Sequence, residues 1–152
     1  MLSLGAVDFE TGDEFYGECR LGVNRRYSLE ALKINGFDRE NIYDSTKQTQ
    51  VELYQKFVKW ASGRSTLVGG HNVGSFDVQF LKKVHSKQKK ITNFPFQFRY
   101  VDLHSVAYQR FGESLSMSQI CGNLGINPEP SPHNALTGAK KEYECFKLLL
   151  DK

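Results

Sequence analysis

Residues 2–22 read LSLGAVDFETGDEFYGECRLG, and the order of side chains here decides how the chain begins to fold. Leu2, Leu4, Ala6, Asp8 and Glu10 fall on one side of an alternating pattern, with Val7 and Phe9 on the other, which is the two-residue period of a strand. The TGD at 11–13 is turn chemistry, and residues 14–22 read as a second strand, so the two form an antiparallel hairpin. RRYS at 25–28 is a candidate third strand.

Downstream the period changes. Between residues 46 and 62, Val51, Tyr54, Phe57, Val58 and Ala61 recur at helical spacing, with Thr49 and Glu52 set as a capping box and Gly63 as a stop. STLVGGHN at 65–72 is a short strand broken by glycines. VGSFDVQFLKKVHS at 73–86 is a helix whose stripe is Val73, Phe76, Phe80, Leu81 and Val84. The strand FQFRYVDL at 96–103 leads into the helical HSVAYQRFG at 104–112, and a short helix at 116–125 and a final one over 131–150 complete the pattern. Hairpin strands followed by alternating helices and strands predict an α/β sheet that is antiparallel on one side and parallel on the other. No linker or repeat divides the chain, and the proline-rich INPEPSP at 126–132 is too short to do so, so residues 1–152 are expected to form one domain.

Composition narrows the class. Of 152 residues 39% are hydrophobic, enough for a core, and no apolar run is long enough to cross a bilayer. Met1 runs into LSLGAVDFE without a charged leader and apolar segment, which makes the cytoplasm the expected location. Cys19, Cys121 and Cys145 have spacings of neither a zinc site nor a disulfide framework and read as reduced thiols. The net charge of +3 is unevenly spread, because LKKVHSKQKK at 81–90 gathers Lys82, Lys83, Lys87, Lys89 and Lys90. Such a run is ordinarily a solvated helix end, and becomes a phosphate-contacting surface only beside other signs of nucleic-acid binding.

Three carboxylates stand out. Asp8 and Glu10 leave the same face of the first strand, the face that carries Leu2, Leu4 and Ala6. A strand surfacing into solvent would look the same. Asp77 is the lone charge among residues 73, 76, 77, 80, 81 and 84, where it is either a buried acid needing a partner or a helix-start acid favoured by the macrodipole. Three carboxylates meeting from different elements require a cation, and hard oxygen donors suit Mg²⁺ or Mn²⁺. Two-metal sites of this kind cleave phosphodiesters. Pro132 and His133, behind a Ser131 cap, would open the last helix, whose positive end favours a neutral imidazole able to take a proton from water.

AVDFET at 6–11, GGHNVGSFDVQFL at 69–81 and PHNALTGAKKEYE at 132–144 resemble, in order, the three motifs of the DEDD superfamily of 3′-5′ exonucleases, in its histidine branch (DEDDh), which includes proofreading subunits and ribonuclease T. The resemblance spans essentially the whole chain. It implies a ribonuclease H-like fold, a mixed five-stranded sheet flanked by helices. It further implies that Asp8, Glu10 and Asp77 ligate Mg²⁺ or Mn²⁺ in a two-metal site, and that His133 is the general base. Phe9, Thr11 and Asn72 are the implied contacts to the terminal nucleotide.

One position departs from the pattern. The family carries an aspartate five residues after the histidine, and here that residue is Gly138. Glu142, one helical turn further, is able to reach back but reads as a solvated helix residue. Asp102 reads better as a helix N-cap. The YxxxD of the tyrosine branch is not met either, since YECFK ends in Lys147. Gly138 is either a substitution in a competent exonuclease or a native feature of a weakened enzyme or 3′-end binder, and the retention of Asp8, Glu10, Asp77 and His133 favours an exonuclease background. The expected function is removal of nucleotides from 3′ ends of single-stranded or frayed DNA or RNA, impaired by Gly138. The alternative is a non-catalytic single-strand-binding module. Either form is compatible with recruitment by a larger nucleic-acid-processing complex.

Overall fold

A computed structural model describes residues 1–22, 25–88 and 93–150. Strands β1 (Ser3–Val7) and β2 (Glu14–Glu18) pair antiparallel with Ser3 opposite Glu18 and Val7 opposite Glu14, so the expected hairpin is present. Its strands are shorter than the alternation suggested. After Val7 the Asp8 main chain bonds across the turn to Asp13 and Gly12, and Asp8 to Thr11 belong to that turn. The RRYS segment is not a strand. Its last residue, Ser28, accepts a hydrogen bond from Ala31 N and caps α1 (Leu29–Ile34), which with α2 (Arg39–Tyr43) was not foreseen. Both helices are too short for a periodic stripe to show.

Helix α3 (Gln50–Ala61) carries the expected capping box, with Thr49 and Glu52 each bonding the other's main chain. Its buried face, Leu53, Tyr54, Phe57 and Ala61, packs with Leu4, Leu81 and Phe96 in one core. Strand β3 (Val68–Gly70) runs parallel to β4 (Tyr100–Asp102), with Gly70 opposite Asp102. Helix α5 (Leu103–Phe111) follows directly, capped by Asp102 as the sequence suggested, and a second core forms where Leu103, Ala107, Ile120, Cys145 and Phe146 meet between α5, α6 (Met117–Asn123) and α7 (Ala135–Leu150). Among the described residues the strands form two separate two-stranded sheets rather than the five-stranded sheet expected.

Helix α4 (Asp77–His85) begins four residues later than its expected stripe, so Val73 and Phe76 lie before it. Val78, Leu81 and Val84 are buried, whereas Phe76 and Phe80 are 61% and 37% exposed. Helix α7 also starts late. The Ser131–Pro132 bond is cis, His133 N donates to Ile34 O, and the Asn134 side chain accepts from Leu136 N at 2.9 Å, so Asn134, not Ser131, caps the helix.

Glycine 5 allows α7 to lie directly on β1, because a β-carbon there would overlap the Ala135 carbonyl. Lys140 to Glu14 at 2.6 Å and Asn134 to Tyr16 at 3.2 Å fasten the helix start to the hairpin. This close approach brings the third motif beside the first. No described helix is long and apolar enough to cross a membrane.

Candidate active site

A cleft of about 1140 Å³ lies between the hairpin turn, the start of α4 and the first turns of α7. Asp8, Phe9, Glu10, Asp77, His133 and Gly138 all line it, together with Glu129 and Glu142, while Thr11 and Asn72 do not. Lys82, Lys83 and Lys87 do not line it either, and Lys89 and Lys90 lie outside the described residues. Lys82 reaches Tyr100 at 3.3 Å and Lys87 reaches Gln50 at 2.9 Å, so both are engaged by the fold.

Asp8 is held by the turn that it opens. Its Oδ1 accepts from Thr11 N (2.8 Å), Thr11 Oγ1 (3.1 Å) and Glu10 N (3.1 Å), and its Oδ2 lies 3.4 Å from Arg64 Nε. The Thr11 N–H contributes most to keeping its pKa below the usual carboxylate range. Arg64 is itself fixed over the Trp60 ring and by Asp13 at 2.7 Å. Because β1 ends before Asp8, Glu10 does not share a strand face with it, and the exposed Glu10 instead extends from the turn. Thr11 serves Asp8 as a donor. Asn72 adopts φ 58°, donates its N–H to Asp102, and sets its amide 3.3 Å from His71 Nδ1.

Asp77 is the first residue of α4 and is open to solvent, yet the surrounding cleft walls displace enough water to raise its pKa. Glu142 is not the solvated helix residue its spacing suggested. It points into the cleft from α7, accepts from His71 N at 3.2 Å, and has a pKa pushed up to about 7, first by burial and then by repulsion from Asp77, Glu129 and Asp102. Neither Asp77 nor Glu142 has an ion-pair partner among the described residues.

Glu129 went unnoticed in the sequence, although it stands between two prolines and four residues before His133. Its Oε2 lies 2.8 Å from His133 Nδ1, and its Oε1 accepts from Asn134 N (2.8 Å) and Thr137 Oγ1 (2.7 Å). Burial alone would raise its pKa, but the bonds from Thr137, Asn134 and His133 outweigh burial and lower it. A β-carbon added to Gly138 would lie 3.4 Å from Glu129 Oε2.

The oxygen donors of the cleft are of the kind that suits a hard divalent cation, and Glu10, Asp77 and Glu142 are its lining acids without an ion-pair partner among the described residues. Among the described residues, however, no three His, Cys, Asp or Glu side chains are gathered into a ready-made metal shell. Asp8, Glu10 and Asp77 thus share a cleft without converging as the sequence led us to expect.

The RNase_H_2 family model, described as RNase_H superfamily, matches residues 23–140. The chain belongs to the RNase H superfamily. Two solved structures share this superfamily member's fold. The nuclease domain of 3′hExo, a DEDDh family member bound to rAMP, superposes with a TM-score of 0.70 at 15% identity, covering 95% of this chain and 76% of that one. Cell-death related nuclease 4 (CRN-4) superposes with a TM-score of 0.66 at 14% identity, covering 90% of this chain and 49% of that one, so this RNase H superfamily chain spans about half of CRN-4. No curated protein matches the chain.

Proposed function

We propose that this chain is a DEDDh-type 3′-5′ exonuclease, a divalent-metal-dependent phosphodiester hydrolase acting on the 3′ ends of single-stranded or frayed nucleic acid. The observation that carries the reading is that Asp8, Glu10, Asp77 and His133, from three distant segments, all line one cleft. Likeness in fold to a DEDDh nuclease domain supports it.

In this reading His133 Nε2 takes the proton of the water that attacks the terminal phosphodiester, and the 3′-oxygen of the preceding nucleotide departs. Asp77, Glu142, Asp8 and Glu10 would hold Mg²⁺ or Mn²⁺, which supplies Lewis-acid stabilisation of the phosphoryl oxygens and lowers the pKa of water. Phe76 and Phe80, exposed at the cleft with ring centroids 5.0 Å apart, offer π-faces on which bases stack irrespective of sequence. Phe9 is less free, because its ring packs edge-on against Tyr143 and lies 5.2 Å from the Lys147 ammonium.

Gly138 leaves the third motif without its acid, and low activity is the expected consequence. The test is shortening of 3′-labelled and 5′-labelled DNA and RNA oligonucleotides with Mg²⁺ and with Mn²⁺. Stepwise loss from the 3′ end supports the reading. Salt-sensitive binding without cleavage, in this chain and in every Gly138→Asp variant, turns it into the second reading, a 3′-end binder.

A further inference from the structure

Glu129 stands outside all three exonuclease-like motifs, and three donors fix its carboxylate: His133 Nδ1, Asn134 N and Thr137 Oγ1. Two of these come from the main chain and first turn leading into α7, so the Glu129 position is set by the same segment that carries His133. The side chain is 17% exposed, against 49% for His133. Such a carboxylate is pre-organised rather than a solvated surface group.

An ionised carboxylate only accepts hydrogen bonds, so the ring nitrogen that faces Glu129 must carry the proton. In the neutral imidazole this sets Nδ1–H towards Glu129 and leaves the Nε2 lone pair for a proton from outside. Residue 138 lies beside this arrangement: a β-carbon there would be in ordinary van der Waals contact with Glu129 Oε2 at 3.4 Å, so a charged side chain built from that carbon would be a close neighbour of the Glu129 carboxylate.

We propose that Glu129 is the positioning residue for His133, holding the imidazole in the Nδ1–H tautomer beside the glycine at 138. The inference rests on the exonuclease reading for its consequence in turnover, but the Glu129–His133 contact exists whatever the reaction. Glu129 acts through the imidazole, as a carboxylate that orients a base does in general.

Two measurements test it. In the first, ¹⁵N-detected histidine spectra assign the His133 tautomer in the intact chain, in Glu129→Gln and in Glu129→Ala. The intact chain and Glu129→Gln, which keeps an acceptor oxygen of the same shape, are expected to show Nδ1–H, and Glu129→Ala is expected to shift towards Nε2–H. An unchanged tautomer in a folded Glu129→Ala overturns the proposal. In the second, kcat for 3′-end shortening is measured around a cycle of Glu129→Ala and His133→Ala. Loss of Glu129 is expected to lower kcat about 10- to 100-fold when His133 is present, as for other groups that orient a catalytic ligand, and to have little further effect when it is absent. Equal losses in both backgrounds mean that Glu129 merely supports the fold, and overturn the proposal. Should no version cleave, the exonuclease reading fails, while the tautomer measurement still decides whether Glu129 orients His133.

Discussion

The Glu129 carboxylate sits 3.4 Å from where a β-carbon on residue 138 would lie. An aspartate introduced at 138 therefore does not enter an empty space. It arrives beside a carboxylate already bonded to His133, Asn134 and Thr137. Two like charges in contact disfavour one another, and the raised cost falls on the ion that is least well bonded, the new one.

It follows that Gly138→Asp alone is expected to restore little 3′-end shortening, and Gly138→Asp with Glu129→Gln distinctly more, because the second change removes the repelling charge and keeps an acceptor for His133. Single-turnover rates of the two variants, measured in parallel with Mn²⁺, check this. Full restoration by the single change would show that Glu129 moves aside freely.

Glu142 predicts a pH dependence of stability. Its folded pKa is raised to about 7 from an ordinary value of 4.5. Between those values the folded chain binds more protons than the unfolded chain, so stability falls as pH rises from about 4.5 to 7 and levels off above. The loss is at most roughly 3 kcal/mol. Urea unfolding in EDTA across this range should show the decline in the native chain and a flatter profile in Glu142→Gln, which should also be the more stable of the two at pH 8.

At Gly5, the substitution to alanine drives a β-carbon into the Ala135 carbonyl and forces α7 off the hairpin. A loss of about 3 kcal/mol or more is expected, at the upper end of overpacking costs because backbone cannot swing aside as a side chain does. Chemical denaturation measures it. Cleavage should fall as well, since the displaced helix carries Gly138 and Glu142 and follows directly on His133.

Phe76 is the opposite case. It is 61% exposed, so Phe76→Ala should change stability by less than about 1 kcal/mol, yet weaken single-strand binding by about 1–3 kcal/mol if a base stacks there. Fluorescence anisotropy with short oligonucleotides, with and without the substitution, separates the two effects. Unaltered affinity would remove Phe76 from the binding surface.

Local order was legible along the chain wherever a few neighbouring residues decide it. The hairpin followed from alternation around TGD at 11–13, α3 from its stripe and the Thr49–Glu52 box, and the α5 cap from Asp102, because turns, caps and amphipathic faces are made within three or four residues. The RNase H-like class was readable for the same reason, through ordered short motifs. What only packing decided is the company each acid keeps. Glu142 has the spacing of a surface residue, and only tertiary packing withdraws it partly from water and sets it against His71 N. Glu129 sits in what reads as an ordinary proline loop, and meets His133 and the space over Gly138 because α7 starts at Ala135 rather than at Ser131 and lies against Gly5. Burial and electrostatic neighbourhood are sums over residues distant in the chain, so no local window carries them.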